Sequence, residues 1–198
     1  MNKKYWLAAL LAAALGMAPS APARAEEPAA ESEFSVEEIE KAFHGLRQGT
    51  DARAVEKNLQ LLEEAGKDAF PVLVKNLGSK IAASPRHFKS EIWEIDPKTH
   101  LLSGRRPLTL GDVAFQLIQN AVEENFPQKF KIFQVLTREN VAAWLEKNRF
   151  LSLYEMRSAA AREALEKVEK QHRAEPSEHT RDALRYMQGL VGRYSTGG

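Results

Sequence analysis

The sequence feature that most constrains the fold is a long run of apolar residues with the spacing of one helix face. It follows Thr109, which is placed to cap a helix with Asp112 three residues further on. The run comprises Leu110, Val113, Ala114, Leu117, Ile118, Ala121 and Val122. Because residues three and four apart share one face of an α-helix, the pattern predicts a central core helix, which Pro127 closes.

Three shorter helices are predicted before the core helix. The first begins at Ser35, which is placed to form a capping box with Glu38, and ends at Gly49. The second spans 51–65 and the third 67–77, each followed by a glycine. The residues expected to face inward are Val36, Ile39, Phe43, Leu46, Val55, Leu59, Leu62, Phe70, Leu73, Val74 and Leu77. Short helices separated by single glycines must fold back on one another.

Further helices are predicted after the core helix. Thr137 is expected to cap one, Ser152 with Glu155 forms a second capping box before a long helix, and Ser177 begins the last helix. Segment 128–136 fits either a short strand or an extended loop. The inward positions are Val141, Trp144, Leu145, Leu153, Met156, Ala160, Leu165, Val168, Leu184, Met187, Val191 and Tyr194. Six or seven amphipathic helices with short connections predict an all-α fold of stacked helical hairpins.

Residues 79–108 do not follow the helical pattern. Loops of about 30 residues are uncommon in domains unless they are functional or contain structure of their own. Glu91–Ile95 is rich in β-branched and aromatic residues, Asp96 and Pro97 open a turn, and Leu101 and Leu102 fit a returning strand. We therefore expect a small β-hairpin inserted between two helices.

The N-terminus has the composition of a secretory signal peptide. Lys3 and Lys4 precede an apolar run that is too short for a membrane anchor, and residues 23–25 match a signal peptidase site. We predict cleavage after Ala25, a disordered acidic leader at 26–34, and a single helical domain at 35–198 that is exported to the periplasm or outside the cell, without a stable membrane anchor.

Removal of the signal peptide also changes the charge balance. The whole chain has 28 basic and 27 acidic residues, and residues 1–25 contain Lys3, Lys4 and Arg24 but no acid. The mature chain would therefore carry 25 basic and 27 acidic residues. A chain this close to neutral, without a long basic run, lacks the electrostatic signature of nucleic-acid binding.

Two of the predicted helices resemble a known repeat family. The sequence KDAFPVLVKNLG at 67–78 is similar to the first helix of a HEAT-type α-solenoid repeat, and TLGDVAFQLIQNAVE at 109–123 is similar to the second. The resemblance covers residues 50–125, with the hairpin inserted between the two helices. It implies a stacked-helix surface for binding proteins or peptides, and no catalytic residues.

The chain has few features of an enzyme. It has no cysteine, and we find no nucleophile elbow, phosphate-binding loop or zinc-protease motif. The five histidines, His44, His87, His100, His172 and His179, do not share a helix face. Adjacent acids such as Glu63 with Glu64 and Glu123 with Glu124 are expected on solvated faces. We therefore expect no catalytic site, metal or cofactor.

The inserted segment is the candidate binding element. Cations and aromatic residues on non-helical backbone suit partner recognition, because guanidinium groups bind carboxylates and tryptophan anchors interfaces. The candidate partner-binding residues are Arg86, His87, Lys89, Trp93, Arg105 and Arg106. The alternative is that Phe88, Trp93 and Ile95 only fix the hairpin to the helices.

Two functions follow from these features. The first is an exported, non-catalytic binding or scaffold protein for a protein, a peptide or an envelope polymer. The alternative is a cell-envelope hydrolase with a carboxylate pair that includes an acid near the hairpin, such as Glu91, Glu94 or Asp96.

Overall fold

The computed structural model describes residues 33–84, 91–95 and 102–196, and the chain is mostly helical, as predicted. The helices are α1 (Val36–His44), α2 (Ala52–Ala65), α3 (Phe70–Lys75), α4 (Leu110–Val122), α5 (Val141–Lys147), α6 (Leu153–Ala174) and α7 (Glu178–Thr196). The strands are β1 (Glu91–Ile95) and β2 (Leu102–Pro107), and two 3₁₀ turns span Gly66–Ala69 and Gln128–Phe133. The predicted signal peptide at 1–25 and residues 26–32 of the predicted leader lie outside the described residues.

Local capping fixes the starts of three helices. Ser35 with Glu38, Thr109 with Asp112 and Ser152 with Glu155 each form a complete capping box, in which side chain and backbone bond reciprocally. Each of these pairs was predicted from the sequence. The helices therefore begin where their own sequences specify.

Other helix boundaries differ from the prediction. The first helix ends at His44 instead of Gly49, and Gly49 lies in the following turn with φ of 88°. The third predicted helix divides into a 3₁₀ turn and α3, with Pro71 in the first turn of α3. Segment 128–136, for which the sequence fits either a short strand or an extended loop, contains the second 3₁₀ turn.

Consecutive helices pack against one another as pairs. Helix α1 packs on α2, α3 on α4 and α6 on α7, while α1 also contacts α3 and α4 contacts α6. Helix α4 is central, as its apolar run predicted, and its fully buried residues include Leu110, Val113, Ala114 and Ile118. Val36, predicted to face the core, is 64% exposed. Phe34, assigned to the leader, packs against the core instead.

Strand β1 covers the predicted residues Glu91–Ile95, whereas the returning strand, predicted at Leu101 and Leu102, is longer and runs from Leu102 to Pro107. Strands β1 and β2 pair antiparallel, with Trp93 opposite Arg105 and Ile92 opposite Arg106, and the register shifts between Glu94 and Ile95. In the part of the chain that the structure describes, no helix has the length and apolar character needed to span a membrane.

Candidate functional site

The base of the inserted hairpin is bonded to the helical scaffold on two sides. The amide of Ser84 donates to Leu46 O at 2.8 Å, and the amide of Ala83 donates to Leu108 O at 2.9 Å. Leu110 N donates in turn to Ile81 O at 2.8 Å. The segment that enters the hairpin thus lies between the end of α1 and the start of α4, and both sides hold it by backbone hydrogen bonds.

A buried carboxylate strengthens this attachment. Arg106 donates to Asp112 through both terminal nitrogens, from Nη1 to Oδ2 at 2.5 Å and from Nη2 to Oδ1 at 2.8 Å. Arg138 also donates to Asp112 Oδ1, and its second nitrogen donates to Leu77 O at 2.7 Å. Thr109 adds its backbone N–H and its hydroxyl, both to Oδ2. One carboxylate therefore joins strand β2, the start of α4 and the turn before α5; we call these four side chains the Asp112 cluster.

The cluster changes the acidity of Asp112. Burial alone would raise the pKa of this carboxyl, since only 2% of its side chain is exposed. The hydrogen bonds from Arg106 and Thr109, together with the charge of Arg138, outweigh burial and hold the pKa well below its usual range. Asp112 is therefore ionised at neutral pH, and its single negative charge lies between two positively charged guanidinium groups.

The structure separates the candidate partner-binding residues of the sequence into three groups. Arg106 belongs to the Asp112 cluster, so it attaches the hairpin to α4. Trp93 and Arg105 occupy paired positions on the two strands. The remaining candidates, Arg86, His87 and Lys89, lie outside the described residues, as does Asp96 of the alternative carboxylate site.

Two clefts, which the sequence did not predict, lie on either side of Phe70. The first, here called the acidic cleft, has a volume of about 300 Å³ and an apolar floor that includes Leu62 and Leu117. Its polar lining consists of Glu63, Asn120, Glu124 and Arg157. Arg157 donates to Ala121 O at 2.8 Å and pairs with Glu124 at 2.8 Å. Two carboxylates and one guanidinium group thus surround an apolar floor.

The second cleft, here called the apolar cleft, lies between α3, α5 and α6. It has a volume of about 310 Å³, and Phe70, Val74, Leu145 and Met156 are among its lining residues. Its charged residues are Lys67, Glu146 and Arg149. From the sequence, the apolar side chains of this cleft were expected in the core, because helical periodicity does not reveal where two helices diverge.

Glu123 contradicts its predicted place on a solvated face. It is only 4% exposed, because segment 134–136 crosses the end of α4, and its Oε1 accepts hydrogen bonds from Val135 N at 2.6 Å and Leu136 N at 3.0 Å. Burial raises the pKa of Glu123 despite these two hydrogen bonds. Its neighbour Glu124 is exposed, at the acidic cleft.

The histidines that the structure describes have separate local roles. His172 Nδ1 lies 2.8 Å from the hydroxyl of Thr180, and the same hydroxyl accepts a hydrogen bond from Ser177 N at 3.1 Å. The Thr180 hydroxyl thus joins the end of α6 to the start of α7. His179 packs against the rings of Phe130 and Phe133. Among the described residues, no three His, Asp or Glu side chains are grouped as metal ligands would be.

Comparison with known proteins gives no relative for this chain: no family model, no curated protein and no solved structure matches it.

Proposed function

We propose that the mature chain is an exported, non-catalytic helical binding or scaffold protein whose partner is a protein, a peptide or an envelope polymer. The observation that carries this proposal is the attachment of the inserted hairpin by the Asp112 cluster. Binding residues are commonly found on loops that a rigid scaffold positions. The inserted hairpin fits this description, because backbone hydrogen bonds and the buried Asp112 cluster fix its base to the helices.

The helix pairing supports a HEAT-like arrangement as part of this proposal. Helices α3 and α4, which carry the resemblance to that family, pack on each other although the hairpin separates them in sequence. The contacts of α1 with α3 and of α4 with α6 link neighbouring pairs, as stacking requires. A stacked-helix surface next to the hairpin would extend the area available to a partner.

We assign the partner contact to Trp93 and Arg105, together with Arg86, His87 and Lys89. Paired positions on two antiparallel strands share one face of the ladder, and successive positions on a strand alternate between faces. Trp93 and Arg105 are therefore on one face, and Arg106 is on the face that meets the Asp112 cluster. Arg106 has a positioning role in this proposal.

The experiment compares single variants of the exported chain for capture of a partner from envelope extract and for thermal stability. Arg105→Ala and Trp93→Ala are expected to lose the captured partner, with a melting temperature close to that of the wild type. Arg106→Ala should lower the melting temperature, because it breaks the cluster. Arg185→Ala, an exposed arginine on α7, is the matched control and should change neither quantity. Undiminished capture by Arg105→Ala and Trp93→Ala would refute this assignment.

A cell-envelope hydrolase with a carboxylate pair is a second candidate, and the acidic cleft is the observation in its favour. Glu63 and Glu124 both line this cleft, which is of a size that small-molecule sites have. A glycoside hydrolase needs two carboxyl groups about 5 to 10 Å apart across the substrate. Hydrolysis of envelope glycan by the wild type, abolished in both Glu63→Gln and Glu124→Gln, would favour the enzyme over the binding protein.

A further inference from the structure

A short segment between the second 3₁₀ turn and α5 lies along one face of helix α4. We call residues 134–138 the strap. Three side chains from α4 and its C-terminal cap bond to it, and these are Asp112, Gln119 and Glu123. Because the three residues are seven and four positions apart, they share one face of the helix. The strap therefore follows α4 from its end towards its start.

The two ends of the strap are held by different kinds of contact. At the start of α4, Asp112 accepts a hydrogen bond from the guanidinium group of Arg138, to which it is also ion-paired. In the middle, the side-chain amide of Gln119 donates to Leu136 O at 3.2 Å. At the end of α4, Glu123 Oε1 accepts hydrogen bonds from two backbone amides of the strap, at 2.6 and 3.0 Å. A second carboxyl group, bonded to neutral donors, thus holds the other end of the strap.

Only one oxygen of the Glu123 carboxyl is bonded. The residue is 4% exposed, and in the part of the chain that the structure describes its Oε2 is buried without a hydrogen-bond partner. An ionised carboxylate loses the hydration of both oxygens on burial, and here the protein compensates for that loss at Oε1 alone. A buried charge with incomplete bonding costs far more free energy than a buried neutral acid. The closed strap therefore favours the protonated form of Glu123, and burial raises the pKa of this carboxyl.

A positive charge on α6 opposes this preference in part. The ammonium group of Lys167 donates to Gln134 O at 2.7 Å, and its charge favours the ionised form of Glu123. Other titratable groups on the elements packed here contact partners of their own: Glu124 with Arg157, Lys129 over the ring of Phe130, and His179 against the rings of Phe130 and Phe133. Lys167 is exposed to solvent, so its charge is screened and burial outweighs it.

We propose that a proton on Glu123 controls the attachment of the strap: the protonated carboxyl holds residues 134–136 against α4, and loss of the proton releases them. A released carboxylate regains water at both oxygens, which the closed strap denies it. Arg138 remains paired with Asp112, so the release is local and confined to one end of the strap. It brings Val135 and Leu136, each 2% exposed in the closed form, towards solvent.

The size of the effect is limited by the single proton involved. An exposed glutamate has a pKa of about 4.3. Above that pH, the equilibrium constant for opening rises by at most tenfold per pH unit, because one proton links the two forms. The rise stops once Glu123 is ionised in the closed form as well.

Amide hydrogen exchange of the purified exported chain, followed residue by residue by NMR from about pH 4.5 to 8, tests the release. After correction for the intrinsic exchange rate, the protection of the Val135 and Leu136 amides should fall as the pH rises and then level off. The amide of Ile118, which is fully buried in α4, reports on global unfolding and should remain more protected than both at every pH.

Two variants separate Glu123 from every other titrating group. Glu123→Gln keeps the shape and the acceptor oxygen of the side chain but cannot ionise, so the protection of its strap should not change with pH. Glu56→Gln makes the same chemical change at an exposed position of α2 and is the matched control, so its strap should follow the wild type. A carbon-13 NMR titration of the Glu123 carboxyl in the wild type adds a measurement that needs no variant. Its midpoint should coincide with the pH at which the loss of protection levels off.

Four outcomes would overturn the proposal. Strap protection that stays constant with pH in the wild type would show that no proton controls it, and an equal fall in Glu123→Gln would assign the control to another group. Exchange of Val135 and Leu136 at the rate of Ile118 would show that the strap opens only when the whole chain unfolds. A Glu123 titration midpoint no higher than about 4.3, the value of an exposed glutamate, would remove the preference for the protonated form even if the variant failed to fold.

Discussion

Replacement of Asp112 by alanine is expected to destabilise the fold strongly, because one carboxylate satisfies donors from three parts of the chain. In the variant, the guanidinium groups of Arg106 and Arg138 lose their common acceptor. The capping box with Thr109 is lost as well, since its acidic half is gone. The attachment of strand β2 to α4 then loses this ion pair.

The magnitude follows from the burial of each partner. Removal of one member of a buried ion pair costs about 3 to 5 kcal/mol, and loss of a helix cap costs about 1 kcal/mol. These costs overlap, because the same oxygen atoms serve both purposes. The freed guanidinium groups regain some hydration, since 31% of the Arg106 side chain and 35% of the Arg138 side chain are exposed. We therefore expect a loss near the lower limit, about 3 kcal/mol, against a total stability of about 5 to 15 kcal/mol.

Urea denaturation followed by circular dichroism measures this loss directly. Asp51→Ala is the matched control, because Asp51 also caps a helix, through the amides of Arg53 and Ala54, without a buried ion pair. That variant should lose about 1 kcal/mol, the cost of a cap. If Asp112→Ala costs no more than Asp51→Ala, the ion cluster contributes nothing beyond capping and does not hold the hairpin to α4.

The acidity of Asp112 adds a dependence on pH. Its folded pKa lies below the value of about 3.9 for an unfolded aspartate, so the folded state binds this proton less readily. The stabilisation is therefore fully present above pH 4 and is lost as the pH falls below about 4. The difference in unfolding free energy between the wild type and Asp112→Asn should shrink over that acid range, whereas a constant difference would contradict the linkage.

Three further changes have separate expectations. Gly111→Ala should cost about 1 to 3 kcal/mol in urea denaturation, because its Cβ would lie 2.4 Å from a backbone carbonyl oxygen. The control Gly189→Ala, which has open space on α7, should gain about 0.5 to 1 kcal/mol, and equal effects of the two substitutions would refute the close packing at Gly111. Glu123→Gln removes a carboxyl with a raised pKa, so the wild type should lose stability relative to this variant as the pH rises above about 4.3. A difference in unfolding free energy between the two proteins that stays constant from pH 4 to 8 would contradict the effect of burial on Glu123. Thr180→Val should cost about 1 to 3 kcal/mol, because it removes the hydroxyl that bonds His172 across the turn between α6 and α7; a change below about 0.5 kcal/mol would show that the hydroxyl is not needed.

The starts of α1, α4 and α6 could be predicted from the sequence because their stabilisation is local, whereas α5, expected to begin after a Thr137 cap, begins at Val141 after Asn140. In the Ser35 and Glu38 capping box, donor and acceptor are three residues apart, so no distant segment is needed to complete it. The central position of α4 was also predictable, because its apolar run leaves little polar surface for solvent. These features depend only on neighbours along the chain.

The errors arise where distant segments meet a helix end. Periodicity placed Val36 inward, but it lies at the first position of α1 and is 64% exposed. The same rule placed Glu123 in solvent, but segment 134–136 crosses the end of α4 and buries its carboxylate. The acidic and apolar clefts were missed for a related reason, since a gap between helices depends on how they diverge in space.

Arg105 and Arg106 show why the candidate binding residues required the structure. The sequence treats them as one basic pair, but neighbouring strand positions alternate between faces, and Arg106 belongs to the Asp112 cluster. Asp112, six residues further on, was identified from the sequence only as a helix cap, because capping is a local pattern and the ion pair is not. Simultaneous replacement of both arginines would therefore combine a change at the strand position paired with Trp93 with a loss of hairpin attachment. A decisive test of partner binding must change Arg105 while Arg106 and its carboxylate remain in place.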